Sequence, residues 1–234
     1  MTWRAALLAA LVAVALPVAA QEAAIRKNLE QRLPDFPKID EVRETPMGGL
    51  YEVRSGGEIF YSDAAGDFIL HGSLLDTKSR KNLTEERMEK LMAVDFSTLN
   101  TKNAIPLVYG KGTRKMAVFE DPNCGFCKHF EKDVAQIDDV TMYVFVVPIL
   151  GPNSLEKSKQ IWCAKDRSKV WTDWMQHNVA PTGKGDCDTK ALEENVAFIR
   201  QHRITGTPTM IFTDGTRAAG AIGKERIEER LARK

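Results

Sequence analysis

Cys124 and Cys127 stand three residues apart, with only Gly125 and Phe126 between them. Ala117, Val118 and Phe119 before them read as an apolar strand, Glu120 to Asn123 as a turn, and the cysteines as the start of a helix. Two thiols at that spacing can close a disulfide. The first sits where unpaired N–H groups and the helix dipole concentrate positive potential, which favours a thiolate. Thiolates attack disulfide sulfur, so the chemistry offered is thiol–disulfide exchange. Cys124, at the helix tip, is expected to be exposed and nucleophilic. Cys127, one turn in, is expected to be shielded and to release a trapped mixed disulfide. Lys128, His129 and Lys132 add cations nearby, whereas Glu120 and Asp121 oppose them, shuttle protons or cap the turn. The sequence leaves that choice open. A lone Cys-x-x-Cys also serves as half of a zinc site, but no second half-site of matching spacing is present.

A second signal lies some eighty residues on, where Gly206-Thr207-Pro208 precedes the apolar run Thr209–Phe212. A proline there is a poor ladder residue, because it has no N–H. With a cis Thr207–Pro208 bond the turn would present the Thr207 backbone beside the sulfurs, where an extended substrate can pair with it. Thr207 and Pro208 are therefore candidate substrate-binding residues.

The elements that must hold these groups begin near residue 106, where strands alternate with helices as in α/β proteins. Met116–Phe119 and Met142–Val147 read as strands, with Phe130, Val134 and Ile137 at helical spacing between them. Helices are expected over roughly 153–178 and 189–202, a strand at Thr209–Phe212, and a last helix after Gly223. The other two cysteines are Cys163 and Cys187; four cysteines allow three pairings, and proximity favours two local pairs without proving them. Trp162, Trp171 and Trp174 keep helical spacing and read as core or cleft-lining residues. His71, His177 and His202 have no partner at ligand spacing, so no metal is assigned. With no Gly-rich phosphate loop, no cofactor is expected either.

The first twenty residues differ from the rest. Arg4 is followed by an unbroken apolar run, Ala5 to Leu16, and small residues end at Ala20, the order of a secretory signal peptide cleaved after Ala20. Its only charge is Arg4, so the remaining chain is formally neutral, which argues against nucleic-acid binding. An exported chain is one in which cysteines pair. Residues 22–33 read as a short helix with Ile25, Leu29 and Leu33 inward. A meander of about three strands follows at Leu50–Arg54, Glu58–Tyr61 and Phe68–Leu75. The segment is too small for a large core and would gain from pairing with a second copy. Residues 84–96 read as a helix capped at Thr84, with Met88, Leu91, Met92 and Phe96 in one stripe, connecting two domains.

Taken together, Cys124-Gly125-Phe126-Cys127, Gly206-Thr207-Pro208 and the whole layout resemble the thioredoxin superfamily, and within it bacterial periplasmic disulfide isomerases of the DsbC type. The resemblance implies an α+β protein. A signal peptide (1–20), a small mainly-β, cystatin-like N-terminal dimerisation domain (21–80), a helical linker (81–105) and a thioredoxin-like catalytic domain (106–234) follow one another. It implies that Cys124 attacks and Cys127 resolves, that Thr207 and Pro208 form a cis-proline pair, and that Cys163 and Cys187 form a structural disulfide. It implies a periplasmic homodimer with chaperone-like capacity, acting on misfolded exported proteins with wrong disulfides and reduced by a membrane thiol reductase of the DsbD type. One departure is that the family often has His directly after the second active cysteine, whereas Lys128 intervenes here before His129. The alternatives are a DsbG-like reductase of sulfenylated cysteines, disfavoured by Gly125 and the second cysteine pair, and a DsbA-like oxidase, disfavoured by the N-terminal domain. A holdase with purely structural cysteines is the non-enzymatic alternative.

Overall fold

The computed structural model describes residues 18–233, which fall into two compact units meeting at residue 88. Most of the expected signal peptide, residues 1–17, lies outside the described residues.

The first unit packs helix α1 (Val18–Arg32) on an antiparallel sheet of β1 (Ile39–Glu44), β2 (Leu50–Ser55), β3 (Glu58–Asp63) and β4 (Ile69–Leu70), in that order. Ile25 and Leu29 of α1 are buried against Ile39, Val42, Tyr51 and Val53, while Leu33 falls beyond the helix and is exposed. Gly66 sits in the β3–β4 turn at φ +70°, and a Cβ there would come within 3.1 Å of the Ile25 backbone. Helix and turn can therefore touch only through a glycine. The sheet contains one strand more than the meander expected, β1. Phe68–Leu75 is not one strand but two fragments: β4, and β5 (Leu75–Asp76), which pairs with β6 (Lys81–Asn82). Val53 and Ile59 are buried within the unit, and its large exposed apolar side chains are Leu33, Met47, Phe68, Ile69, Leu70 and Leu75.

Helix α2 (Leu83–Leu91) is shorter than the 84–96 expected, and none of its residues is buried. Its cap is Asn82, whose Oδ1 accepts from Glu85 N at 3.2 Å; Thr84 instead accepts from Leu74 N and meets the Tyr61 hydroxyl. Arg87 pairs with Glu41 (2.8 Å) and Glu52 (3.0 Å) in the first unit. Phe96 belongs to a separate turn capped by Asp95.

The second unit is built on a five-stranded sheet. Its strands are β7 (Ile105–Tyr109), β8 (Arg114–Glu120), β9 (Val140–Val146), β10 (Thr209–Phe212) and β11 (Arg217–Ala219), ordered β11-β10-β8-β9-β7. Only β8 and β9 pair in parallel, bridged by helix α3 (Gly125–Val134). Both faces are covered, so β8 and β9 read as nearly continuous apolar runs. Met116, Val118, Met142 and Val144 pack with residues of α3, α5 (Arg167–His177) and α7 (Lys224–Leu231). Ala117, Phe119 and Phe145 pack with Ile199 of α6 (Lys190–Gln201) and with Val94, and Phe119 stacks between Phe145 and Phe198. The helix expected over 153–178 is two, α4 (Pro152–Trp162) and α5. The chain breaks at Cys163 because that residue is tied to Cys187 and because Asp166 caps α5 by accepting from Lys169 N at 2.9 Å. Trp171 is fully buried, Trp162 nearly so, and Trp174 half-buried.

Candidate active site

Strand β8 delivers the chain to Glu120, a tight turn follows, and α3 starts at Gly125. Cys124 is the N-cap: its backbone is extended and its Sγ accepts from Cys127 N at 3.2 Å. A cap side chain takes one of the N–H groups that a helix start leaves without a partner. The same Sγ donates to Thr207 O at 3.3 Å, and the Thr207–Pro208 peptide is cis. Strand β10 pairs with β8 in the register Thr209↔Phe119, which brings Gly206 to Pro208 beside the cysteines. Cys124 is not the exposed thiol expected, being only 6% exposed, because the Thr207 loop lies over it. Phe126, by contrast, is 72% exposed at the tip. Cys127 is fully buried, and burial, with the Glu120 carboxyl second, pushes its thiol far up.

The turn is organised by Asp121, whose part the sequence left open. Its wholly buried carboxylate accepts from Asn123 N (2.7 Å), Ser154 Oγ (2.7 Å), Ile149 N (2.8 Å) and Leu150 N (2.9 Å). One side chain thus fastens the cysteine turn, the segment after β9 and the first turn of α4. Trp174 supports the same turn by donating to Pro122 O at 2.6 Å, and the Lys128 ammonium lies 3.6 Å above its ring. Burial pushes Lys128 down, and Lys157, also near Trp174, adds to this. His129 is on the exposed face of α3, 3.6 Å from Asp133.

Glu120 and Glu131 are both fully buried behind Cys127. Burial raises Glu120 well above the usual carboxyl range, and the neighbouring Glu131 raises it further. Burial also raises Glu131, against three hydrogen bonds that favour its charge. Sequence reasoning missed this pair. Glu120 was named with its part left open and placed in the turn, whereas it ends β8; Glu131 sits in a run of charges that reads as helix surface. Cys163 and Cys187 are joined, with Cα atoms 5.5 Å apart, at the end of α4 and in the segment before α6.

Residues 17–85 match the family model described as the disulfide bond isomerase protein N-terminal domain, and residues 101–234 match that of the thioredoxin-like domain. The chain is 43% identical over 210 residues to a probable thiol:disulfide interchange protein DsbC of Bordetella avium, covering 90% of this chain and 74% of that one. It is 28% identical over 221 residues to the thiol:disulfide interchange protein DsbC of Escherichia coli, covering 91% and 88%. Among solved structures it is similar to a disulfide interchange protein from Neisseria gonorrhoeae, with TM-score 0.54 and 38% identity over 57% of this chain and 96% of that one. Two domain matches in the order that frames the Cys124–Cys127 site, and a relative of this identity over nine-tenths of the chain, place it: the chain belongs to the DsbC family of thiol:disulfide interchange proteins.

Proposed function

We propose that the chain is a periplasmic isomerase and reductase of protein disulfides in which Cys124 attacks and Cys127 resolves. The observation that carries this reading is the setting of Cys124 Sγ between the Cys127 N–H and the Thr207 carbonyl. A thiolate there meets a backbone donor of the helix start, and a client strand laid along Thr207 and Pro208 brings its sulfur to Cys124. Attack forms a bond between Cys124 and one client sulfur and expels the other client sulfur as a thiolate. That thiolate attacks a different client disulfide, and the client thiolate freed in turn displaces Cys124, which is isomerisation; or Cys127 displaces the client, which is reduction.

The clients are misfolded exported proteins with wrong disulfides, bound in part by exposed apolar residues such as Phe126. Reduction oxidises Cys124 and Cys127 to a disulfide, so a membrane thiol reductase of the DsbD type must return the electrons. Residues 1–20 act as a cleaved signal peptide, 21–80 as the dimerisation domain, 81–105 as the linker and 106–234 as the catalytic domain. Strand β4 supports a homodimer: it is a sheet edge whose Ile69 and Leu70, with Phe68 just before them, are exposed, and such an edge invites a second copy. Cys163–Cys187 acts as a structural brace.

Trapping tests the assigned roles. Cys124→Ala is expected to abolish exchange, and Cys127→Ala to accumulate mixed disulfides with clients on non-reducing gels. Equal absence of trapped species in both variants would refute them.

A further inference from the structure

Two lysines converge on one indole beside the cysteine turn. Lys128 of α3 sets its ammonium 3.6 Å from the Trp174 ring centroid, and Lys157 of α4 sets its own at 4.9 Å. Like charges drawn to one ring repel, and here no counter-charge relieves them. The Lys128 ammonium donates to Asn178 Oδ1 at 2.6 Å and that of Lys157 donates to Asn153 Oδ1, so both partners are neutral amides. Among the described residues neither ammonium pairs with a carboxylate, whereas Lys81, Lys169 and Lys190 pair with Glu86, Asp173 and Glu194. The two lysines are also fastened to the site. Trp174 donates to Pro122 O at 2.6 Å, Asn123 Nδ2 donates to Asn153 Oδ1 at 3.0 Å, and Lys128 N donates to Cys124 O at 3.1 Å. Both lysines and Trp174 are half-buried. The charges therefore stand on a braced shelf, and Lys128 springs from the helix one turn after Cys124.

We propose that Lys128 and Lys157 on Trp174 form a specificity site of the exchange reaction, which selects client segments with an acidic side chain next to the cysteine under attack. The proposal rests on the reading of Cys124 as the attacking thiol. A client carboxylate set between the two ammoniums removes their mutual repulsion and gains two charge-assisted contacts. A neutral client leaves the repulsion in place, and a basic one adds to it. The indole keeps water from one side of each ammonium, which strengthens its pull on an anion over that of a lysine in open solvent. A free anion would lose all its translational freedom for the same two contacts. A carboxylate on a chain already laid along Thr207 loses little more, so the occupant is a side chain of the client. Selection acts on the attack step: the Cys124 thiolate bonds to one sulfur of the client disulfide, and the other sulfur leaves as a thiolate.

The test uses the reduced full chain and a set of synthetic peptides of equal length, each with a single cysteine held as a mixed disulfide with nitrothiobenzoate. The peptides differ only in whether Glu, Gln or Lys flanks that cysteine. Attack by Cys124 on the peptide sulfur expels the nitrothiolate, so absorbance follows attack alone. Dividing each rate by that of the same peptide with dithiothreitol removes differences intrinsic to the peptides. The Glu peptide is expected to react roughly fivefold faster than the Gln peptide at low salt, the usual ceiling for one partly exposed ion pair, and the advantage should shrink as salt rises. Replacing both lysines by Gln (Lys128→Gln with Lys157→Gln) should bring that ratio to about one, whatever it does to Cys124 itself. Replacing both by Arg should preserve it, because the charge stays over the ring. A parent chain with no preference for the Glu peptide overturns the proposal. A preference that survives in the Gln variant, or vanishes in the Arg variant, overturns it as well. Nitrothiolate release that persists in Cys124→Ala would instead sink the reading of the site itself, a separate outcome.

Discussion

Replacing Asp121 should damage the second unit more than any other single polar change at the site. Its carboxylate accepts four hydrogen bonds, two at each oxygen: Asn123 N and Ser154 Oγ at Oδ1, Ile149 N and Leu150 N at Oδ2. In Asp121→Ala all four donors lose a charged acceptor. The Ser154 hydroxyl can turn towards Asn123, and one amide of a partly exposed segment can take up water, which leaves about two donors stranded. At roughly 2 kcal/mol for each buried donor left unmade, the loss is about 4 kcal/mol. Asp121→Asn keeps one oxygen but turns an NH2 group against two N–H donors, and should cost about half as much. Urea unfolding of the chain starting at Gln21 measures this directly. Trp162, Trp171 and Trp174 all lie in the second unit, so tryptophan emission follows that unit alone. A loss below about 1 kcal/mol for Asp121→Ala, or a larger loss for Asn than for Ala, would refute the reasoning, since surface changes stay within roughly that range.

Replacing both Cys163 and Cys187 by Ala removes a link across a separation of 24 residues, worth about 3.5 kcal/mol in the chain-entropy model; chemical denaturation should register it while Cys124 still reacts with alkylating agents at the parental rate. Stability of the reduced form should fall as pH rises. Glu120 and Glu131 are raised in the folded state, so their contribution is complete below the ordinary 4.5 and is lost as pH climbs through the folded values. Glu120→Gln should flatten that decline, and a denaturation series across pH that leaves the slope unchanged would contradict the burial argument. A fragment beginning at Glu89 should fold alone as a monomer, because Val94 N bonds Gly215 O at 3.0 Å and Val94 and Leu99 belong to the core. It should reduce a small disulfide yet lose most of its ability to reshuffle a scrambled protein, as sedimentation and a refolding assay would report.

Much of the second unit was legible because its signals are local. A strand buried on both faces is a run of apolar residues, and Met116–Phe119 and Met142–Val147 are such runs. The cysteine turn and Gly206-Thr207-Pro208 carry their own punctuation. Strand β1 was not legible, and its register explains why. A bulge between Ile39 and Glu41 puts Ile39 and Val42 on the same buried face three residues apart, which breaks the alternation by two that marks a half-buried strand. Thr84, with Arg87 three residues on, looked like an imperfect cap ahead of the Met88, Leu91 and Met92 stripe, but its hydroxyl is engaged by Tyr61 and Leu74 N, so the cap falls to Asn82. The burial of Glu131 depends on Trp171 and Gln176 meeting it from forty and forty-five residues away, which no local pattern encodes.

The arrangement of the four cysteines also bears on how the protein acquires its own bonds. Released N-terminus first, the chain presents Cys124 and Cys127 before Cys163, and Cys163 before Cys187. Closing short loops costs the least entropy, so oxidation in order of emergence joins Cys124 to Cys127 and leaves Cys163 to wait for Cys187. The second of these is the bond the folded chain holds. A nascent chain therefore reaches its correct covalent connectivity without needing a finished copy of itself, and removes the thiols that could attack the half-made brace. In an oxidising compartment the same order would have a cost in readiness: each new molecule would start with its reactive pair closed and begin work only after its first reduction.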